Sequence, residues 1–390
     1  MPIFLSGKIL GLSRSVIVDG DEVTLTDVKT TPDAHWHLDD RAHLSVQRVA
    51  NARSLPLQVL PDDPRVVWWS QWDVTPRIDH VLDKREVSSH LKKLMSSCRE
   101  IIDHTYFAGQ YQVQNRLLDM LCEAHVDTSS LHDLDDITMQ SFAARHDGVC
   151  ARATYDNFGS STGRMSIKSG PKILTMSKEH RHVFRSSWGS EGELISVDFS
   201  ALEPRVIMTL MGKCELPADI YSDIGEKVGI SAITRSTLKL MILAVLYGMS
   251  RKNFIVKFMT EADPDVAYDK IRDILCVKDI LAKIKAEIVE GEFKNHYGRP
   301  LRCDNESLYV NHFTQSTAVD VACDGFLNLV EKNSDIIRPI FILHDELIVD
   351  VNKADVDKLK KRIGDGIYVP SLNTRFHTTT KVFNARKSDQ

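Results

Sequence analysis

Two short apolar runs, each ending in acid, constrain this chain more than any other feature. Leu194-Ile195-Ser196-Val197 leads straight into Asp198, and Ile340-Phe341-Ile342-Leu343 meets His344-Asp345-Glu346 before apolar residues resume at Leu347-Ile348-Val349. Runs this short and this rich in branched aliphatics belong to buried strands rather than helices. The second pattern predicts a hairpin with a charged triplet at its tip. A carboxylate beside such a strand must be solvated, paired or metal-bound, because burying it alone is very costly. Taken singly, Asp198 and Asp345 are also what ordinary turns contain. If their strands are neighbours in one sheet, the two acids stand together and can hold a pair of divalent ions roughly 4 Å apart.

Around these strands the pattern is mixed. Val16-Ile17-Val18 and Val23-Thr24-Leu25 flank Asp19-Gly20, a hairpin signal, and Val66-Val67-Trp68-Trp69 reads as a further strand. Residues 1–82 are therefore expected to be a β-rich segment, one that carries no recognisable chemistry. Behind the capping-box pair Asp83 and Glu86, the residues Val87, Leu91, Leu94, Met95, Cys98, Ile101 and Ile102 share one helix face. Val113, Leu117, Leu118 and Leu121 define another, so two antiparallel helices are expected. Residues 152–190 are loop-rich, helices fill about 217–290, and a further helix is predicted from Leu308 to Leu329.

Composition narrows the class. A chain of 390 residues, 43% hydrophobic and 26% charged, is an ordinary globular protein able to divide into two to four subdomains. No apolar run approaches the roughly 18 residues of a membrane span, and the N-terminus resembles neither a secretory signal nor a transit peptide. The seven cysteines are scattered and form no Cys-x-x-Cys, so free thiols in a reducing, cytoplasmic setting are expected and a zinc site is not. The net charge of −5 does not announce a nucleic-acid binder, but local charge does. Ala151 to Ser190 holds seven Lys/Arg against two acids, and Lys227 to Thr260 holds six against none. Such a stretch alone is equally a solvated face, but a groove that tracks phosphates needs positive charge only along its length.

The second basic stretch contains Arg235, Lys239, Leu243 and Tyr247 at four-residue spacing, followed by Gly248. On a helix these side chains form one slowly drifting stripe about 18 Å long. Two cations followed by an aromatic suit a nucleoside triphosphate, although an amphipathic helix with solvated cations has the same pattern. Lys239 is also placed to donate a proton to a leaving pyrophosphate.

Asp198-Phe199-Ser200-Ala201-Leu202-Glu203-Pro204-Arg205 resembles motif A of the family A (Pol I-type) DNA polymerases, Asp-Tyr-Ser-x-x-Glu-x-Arg. Arg235 to Ser250 is similar to that family's motif B, and His344-Asp345-Glu346 to motif C. Thr162-Gly163-Arg164, Asp219-Ile220-Tyr221 and Asn311-x-x-x-Gln315 resemble three further elements, all six in family order across about residues 83–390. The resemblance implies that Asp198 and Asp345 bind two Mg²⁺ ions (Mn²⁺ substituting), with the Phe199 carbonyl as a further ligand and Glu346 assisting. It implies that Arg235 and Lys239 bind the incoming triphosphate, with Tyr221 where a phosphate-contacting His usually stands. Glu203 and Tyr247 would form the sugar pocket and exclude a ribose 2′-hydroxyl, beside Leu243. Arg164, Asn311 and Gln315 would meet the primer-template minor groove, and His344 the primer terminus.

The same resemblance implies an α+β right-hand polymerase fold with an antiparallel palm sheet. Its parts would be a thumb at 83–150, a first palm part at 151–215, fingers at 216–295 with the motif B helix at 235–250, and a second palm part at 296–390. The expected activity is DNA-directed DNA synthesis on primer-template DNA with dNTPs, without proofreading, in a compact form like that of bacteriophages. A separate exonuclease or processivity polypeptide is the expected further partner, a membrane is not, and the bacterial host cytoplasm is the expected setting. A single-subunit RNA polymerase and a catalytically silent DNA-binding subunit are the two rival readings. Several residues depart from the family pattern: Leu243 stands where Phe or Tyr is usual, Tyr221 replaces His, Ser307 replaces an Arg, and Pro171 to Thr175 keeps little of the template-contact sequence.

Overall fold

The computed structural model describes residues 106–384, less 132, 133, 135, 151, 157–159, 214, 215, 231, 232, 262, 289 and 290, together with four N-terminal strands and residues 64, 65, 82, 83, 85, 86 and 89. The chain divides into two units, Met1–Asn115 with Tyr297–Pro300, and Arg116–His296 with Leu301–Gln390.

In the first unit, β1 (Pro2–Leu5), β2 (Ser15–Val18), β3 (Asp21–Thr24) and β4 (His35–Leu38) form a sheet in the order β3-β2-β1-β4. β2 and β3 pair antiparallel with Val18 opposite Asp21, and the turn expected at Asp19-Gly20 lies outside the described residues. β1 and β4 were not anticipated; β1 pairs antiparallel with β2 and parallel with β4. The capping box is present in both directions. The Asp83 N–H donates to Glu86 Oε2 at 2.8 Å and the Glu86 N–H to Asp83 Oδ1 at 2.9 Å. The strand expected at 66–69 and the helix face from Val87 to Ile102 lie outside the described residues.

The unit boundary falls within α1 (Tyr106–Asp119), the helix expected from the Val113 to Leu121 face. Residues 121–150, grouped by sequence with a helical thumb, carry one short helix, α2 (Ile137–Ala143), between β5 (Ala124–Val126) and β6 (Gly148–Cys150). Their apolar residues alternate over three positions rather than recurring every three or four. They join β9 (Phe184–Arg185) in the sheet β6-β5-β9, beyond the hairpin of β7 (Thr154–Asp156) and β8 (Ser166–Ser169). Phe142, Phe184, Phe341 and Phe383 then make one aromatic cluster beneath that sheet, with ring centroids 5.1 to 6.3 Å apart.

β10 (Gly192–Phe199) enters a left-handed turn at Ala201, φ 54°, and continues as α3 (Leu202–Leu210). Five helices follow: α4 (Ile220–Val228), α5 (Arg235–Leu246), α6 (Arg251–Lys257), α7 (Pro264–Ile274) and α8 (Val277–Glu287). They share a core that includes Ile224, Met241, Ile242, Phe254, Ile271 and Leu275. After β11 (Glu292–Lys294) and β12 (Pro300–Arg302) comes α9 (Tyr309–Lys332), slightly longer than predicted. Then β13 (Ile337–Leu343), β14 (Glu346–Asn352), α10 (Val356–Ile363), β15 (Ile367–Val369), β16 (Thr374–Phe376) and β17 (Thr378–Val382) complete the chain.

The main sheet is antiparallel throughout, in the order β13-β14-β10-β17. β10, β13 and β14 are largely buried, whereas β17 is polar and mostly exposed, and helix α9 packs against the sheet. Gly325 of α9 permits that approach, since a Cβ there would lie 2.9 Å from Phe199 Cζ. Among the described residues no helix is long and apolar enough to cross a membrane.

Candidate catalytic site

The sheet brings the two acid-tipped strands together. Asp198 pairs with Glu346 in the β10–β14 ladder, and the Phe199 N–H donates to the Asp345 carbonyl at 3.1 Å. His344 and Asp345 are the two-residue tip of the β13–β14 hairpin, with His344 at φ 62°. Burial first, and then the charges of Asp345 and Glu346, push the Asp198 carboxyl up to about 6 against the opposing fields of Lys381 and Lys239. Burial likewise raises Asp345, and it lowers His344 together with the nearby Arg164 charge. Glu346 accepts a hydrogen bond from the Ser196 hydroxyl. Lys381 on β17 reaches the same group, with Nζ 3.5 Å from Glu346 Oε1 and 3.9 Å from Asp198 Oδ2. Nothing in the sequence singled out Lys381, because only the β10–β17 register places it there.

Glu203 occupies the first turn of α3 and is the hub of a second group. The Tyr247 hydroxyl donates to its Oε2 at 2.6 Å, and Arg164 Nη2 donates to its Oε1 at 2.9 Å. Burial raises the Glu203 carboxyl, opposed by these same two partners, and burial with the Glu203 charge raises the Tyr247 phenol. Arg205, only 2% exposed, explains how this turn is held. Its guanidinium donates to the carbonyls of Ser200, Pro217 and Ala218 at 2.6 to 2.7 Å, satisfying three backbone acceptors at once.

Thr234 caps α5, and the stripe that begins at Arg235 lies on its less buried side, opposite Leu238, Met241, Ile242 and Val245. Lys239 is exposed, and its field reaches Asp198. Leu243 and Tyr247 are partly buried against the helical core. Arg235 Nε donates to Asp219 Oδ2 at 2.8 Å, and its guanidinium carbon sits 5.3 Å from the centre of the Tyr221 ring. The Tyr221 phenol is pushed up to about 12 by burial and by the Glu203 charge. The helix expected over 235–250 ends at Leu246. Tyr247 caps it, Gly248 turns at φ 76° against the Ser307 carbonyl, and Ser250 caps α6. Asn311 and Gln315 lie one turn apart at the start of α9, and Asn311 Oδ1 is buried with no hydrogen-bond partner among the described residues. The Phe199 ring stacks in the core on Phe326 at 5.1 Å, so only its backbone is available to a ligand.

Among the described residues no three His, Cys, Asp or Glu side chains close around one point as a preformed metal cage. Two partly buried carboxylates with raised affinity for positive charge nevertheless suit Mg²⁺, which is commonly held by one or two carboxylates, with substrate phosphates and water completing the shell. Asp198 and Asp345 fit that demand.

No protein-family model matches the chain, and no curated protein sequence matches it. Among solved structures, the chain is similar to the POL domain of Pol1 from M. smegmatis, in complex with DNA primer-template and dNTP, at 12% sequence identity and a TM-score of 0.60. The match covers 98% of this chain and 96% of that one. The chain therefore shares the overall fold of that POL domain, a mixed α+β architecture.

Proposed function

We propose that this chain is a DNA-directed DNA polymerase that adds deoxynucleotides to a primer 3′-hydroxyl. The observation that carries the reading is the meeting of Asp198 and Asp345 at the ends of neighbouring strands, within the electrostatic reach of Lys239 on α5. In this reading the main sheet is the palm, α4–α8 are the fingers, and the helical region ahead of β5 is the thumb. The primer 3′-hydroxyl gives its proton to solvent as its oxygen attacks the α-phosphorus, the bond from that phosphorus to the α,β-bridging oxygen breaks, and pyrophosphate leaves. Two Mg²⁺ ions bound by Asp198, Asp345 and the Phe199 carbonyl would supply hydroxyl activation and charge neutralisation. Arg235 binds and orients the triphosphate, Lys239 delivers a proton to the departing pyrophosphate, and Glu203 with Tyr247 closes the pocket under the sugar. Arg164, Asn311, Gln315 and His344 hold primer and template. Most of the acceleration comes from positioning and fixed charge.

Primer extension by the purified full chain with Mg²⁺ tests the reading, using dNTPs and NTPs in parallel. Asp345→Asn should abolish extension while primer-template binding persists; undiminished extension would refute the metal-ligand role, and a preference for NTPs would favour an RNA polymerase instead. A mismatched 3′ end should remain untrimmed, in keeping with a proofreading activity supplied by a separate polypeptide.

A further inference from the structure

We infer that Lys381 is a resident cation that competes with divalent ions for the carboxylate cluster, so that metal loads mainly together with the triphosphate. The inference rests on the polymerase reading above and adds to it a control on metal occupancy. Lys381 pairs with Ser196 across the β10–β17 ladder, two positions from the Thr379–Asp198 pair. Residues two apart on a strand share a face, so Lys381 and Asp198 project from the same side of the sheet. The small Ser196 side chain leaves room for the lysine to cross β10 and reach Glu346 on β14, where Nζ lies 3.5 Å from Oε1 and 3.9 Å from Asp198 Oδ2.

The consequences follow from charge. Asp198, Asp345 and Glu346 are three acids in mutual electrostatic contact, and Lys381 offsets part of their charge. Its side chain is 51% exposed, so it can withdraw into water at little cost. A divalent ion approaching the free protein meets this positive charge. An ion arriving with a triphosphate brings its own negative partners, and the lysine then opposes it far less.

Mn²⁺ binding to the full chain, followed by electron paramagnetic resonance without DNA, tests the inference. Lys381→Met should bind Mn²⁺ at least about fivefold more tightly than wild type, the effect of removing a unit charge about 4 Å away in water. Lys381→Arg should bind as wild type does, and the gain in Lys381→Met should shrink when a non-hydrolysable dNTP analogue is present. Unchanged or weaker Mn²⁺ binding in Lys381→Met would overturn the inference, as would a Lys381→Arg protein that behaves like Lys381→Met. Asp345→Asn separates the two ideas. Lost Mn²⁺ binding there, with no gain in Lys381→Met, rejects only the role of the lysine, whereas retained binding in Asp345→Asn rejects the metal site and the inference with it.

Discussion

Replacing Asp198 by Asn should make the metal-free protein more stable while removing its activity. Burial and the neighbouring acids raise the carboxyl from its ordinary 3.8 to about 6 in the folded chain. At roughly 1.4 kcal/mol per pH unit, that rise corresponds to about 3 kcal/mol of folding free energy set against the ionised form. The side chain is 33% exposed, and solvent screening reduces the expected effect to about 1–2 kcal/mol. The sign follows from proton binding. Between about 4 and 6 the folded chain holds a proton that the unfolded chain has lost, so wild-type stability falls as pH rises through that window. Asn cannot ionise and escapes the loss. In melts at pH 7.5 with chelator, Asp198→Asn should therefore have a Tm about 1–3 °C above wild type. The difference should vanish as pH drops below about 4. Millimolar Mg²⁺ should raise the wild-type Tm alone, because only an ionised Asp198 gains the linkage to metal. A variant less stable than wild type at pH 7.5, or a difference indifferent to pH, would refute the electrostatic account of this site.

Glu203→Ala should free Tyr247 and Arg164 and open the pocket, lowering the preference for dNTPs over NTPs at least about tenfold in competitive primer extension. Arg235→Ala should raise the dNTP KM about 10–100-fold, as expected for losing charge-assisted hydrogen bonds worth about 1.5–3 kcal/mol. Asp219→Asn leaves the guanidinium in place but less firmly held, and should raise KM by less than about tenfold in the same assay. Gly248→Ala should cost at least about 2 kcal/mol in denaturant melts, because the backbone is left-handed there and the methyl would meet the Ser307 carbonyl at 1.8 Å.

The sequence made the centre of the fold legible where local pattern and tertiary structure agree. Apolar runs ending in acid marked β10 and the β13–β14 hairpin, and the helix expected from Leu308 to Leu329 is α9. It was less informative where long-range pairing decides. β1 and β4 find partners only through the sheet they join, and residues 124–126 and 148–150 become strands by pairing with each other and with β9. The break after Leu246 went unread because Tyr247-Gly248 can sit within a helix as far as local propensity goes; the approach of Ser307, some sixty residues on, decides against it. The same logic hid Lys381 and the pairing of Asp219 with Arg235. Each is one charge among many until a strand register or a helix cap brings it against its partner.

The three carbonyls gathered by Arg205 bear on how the molecule can move. They fasten the turn at Ser200, which follows the strand that carries Asp198, to Pro217 and Ala218, just ahead of the helical block. The rivet makes residues 200–218 travel with the sheet. In the proposed polymerase, a swing of α5 toward a bound nucleotide would then pivot past Ala218, and the carboxylates would stay in place.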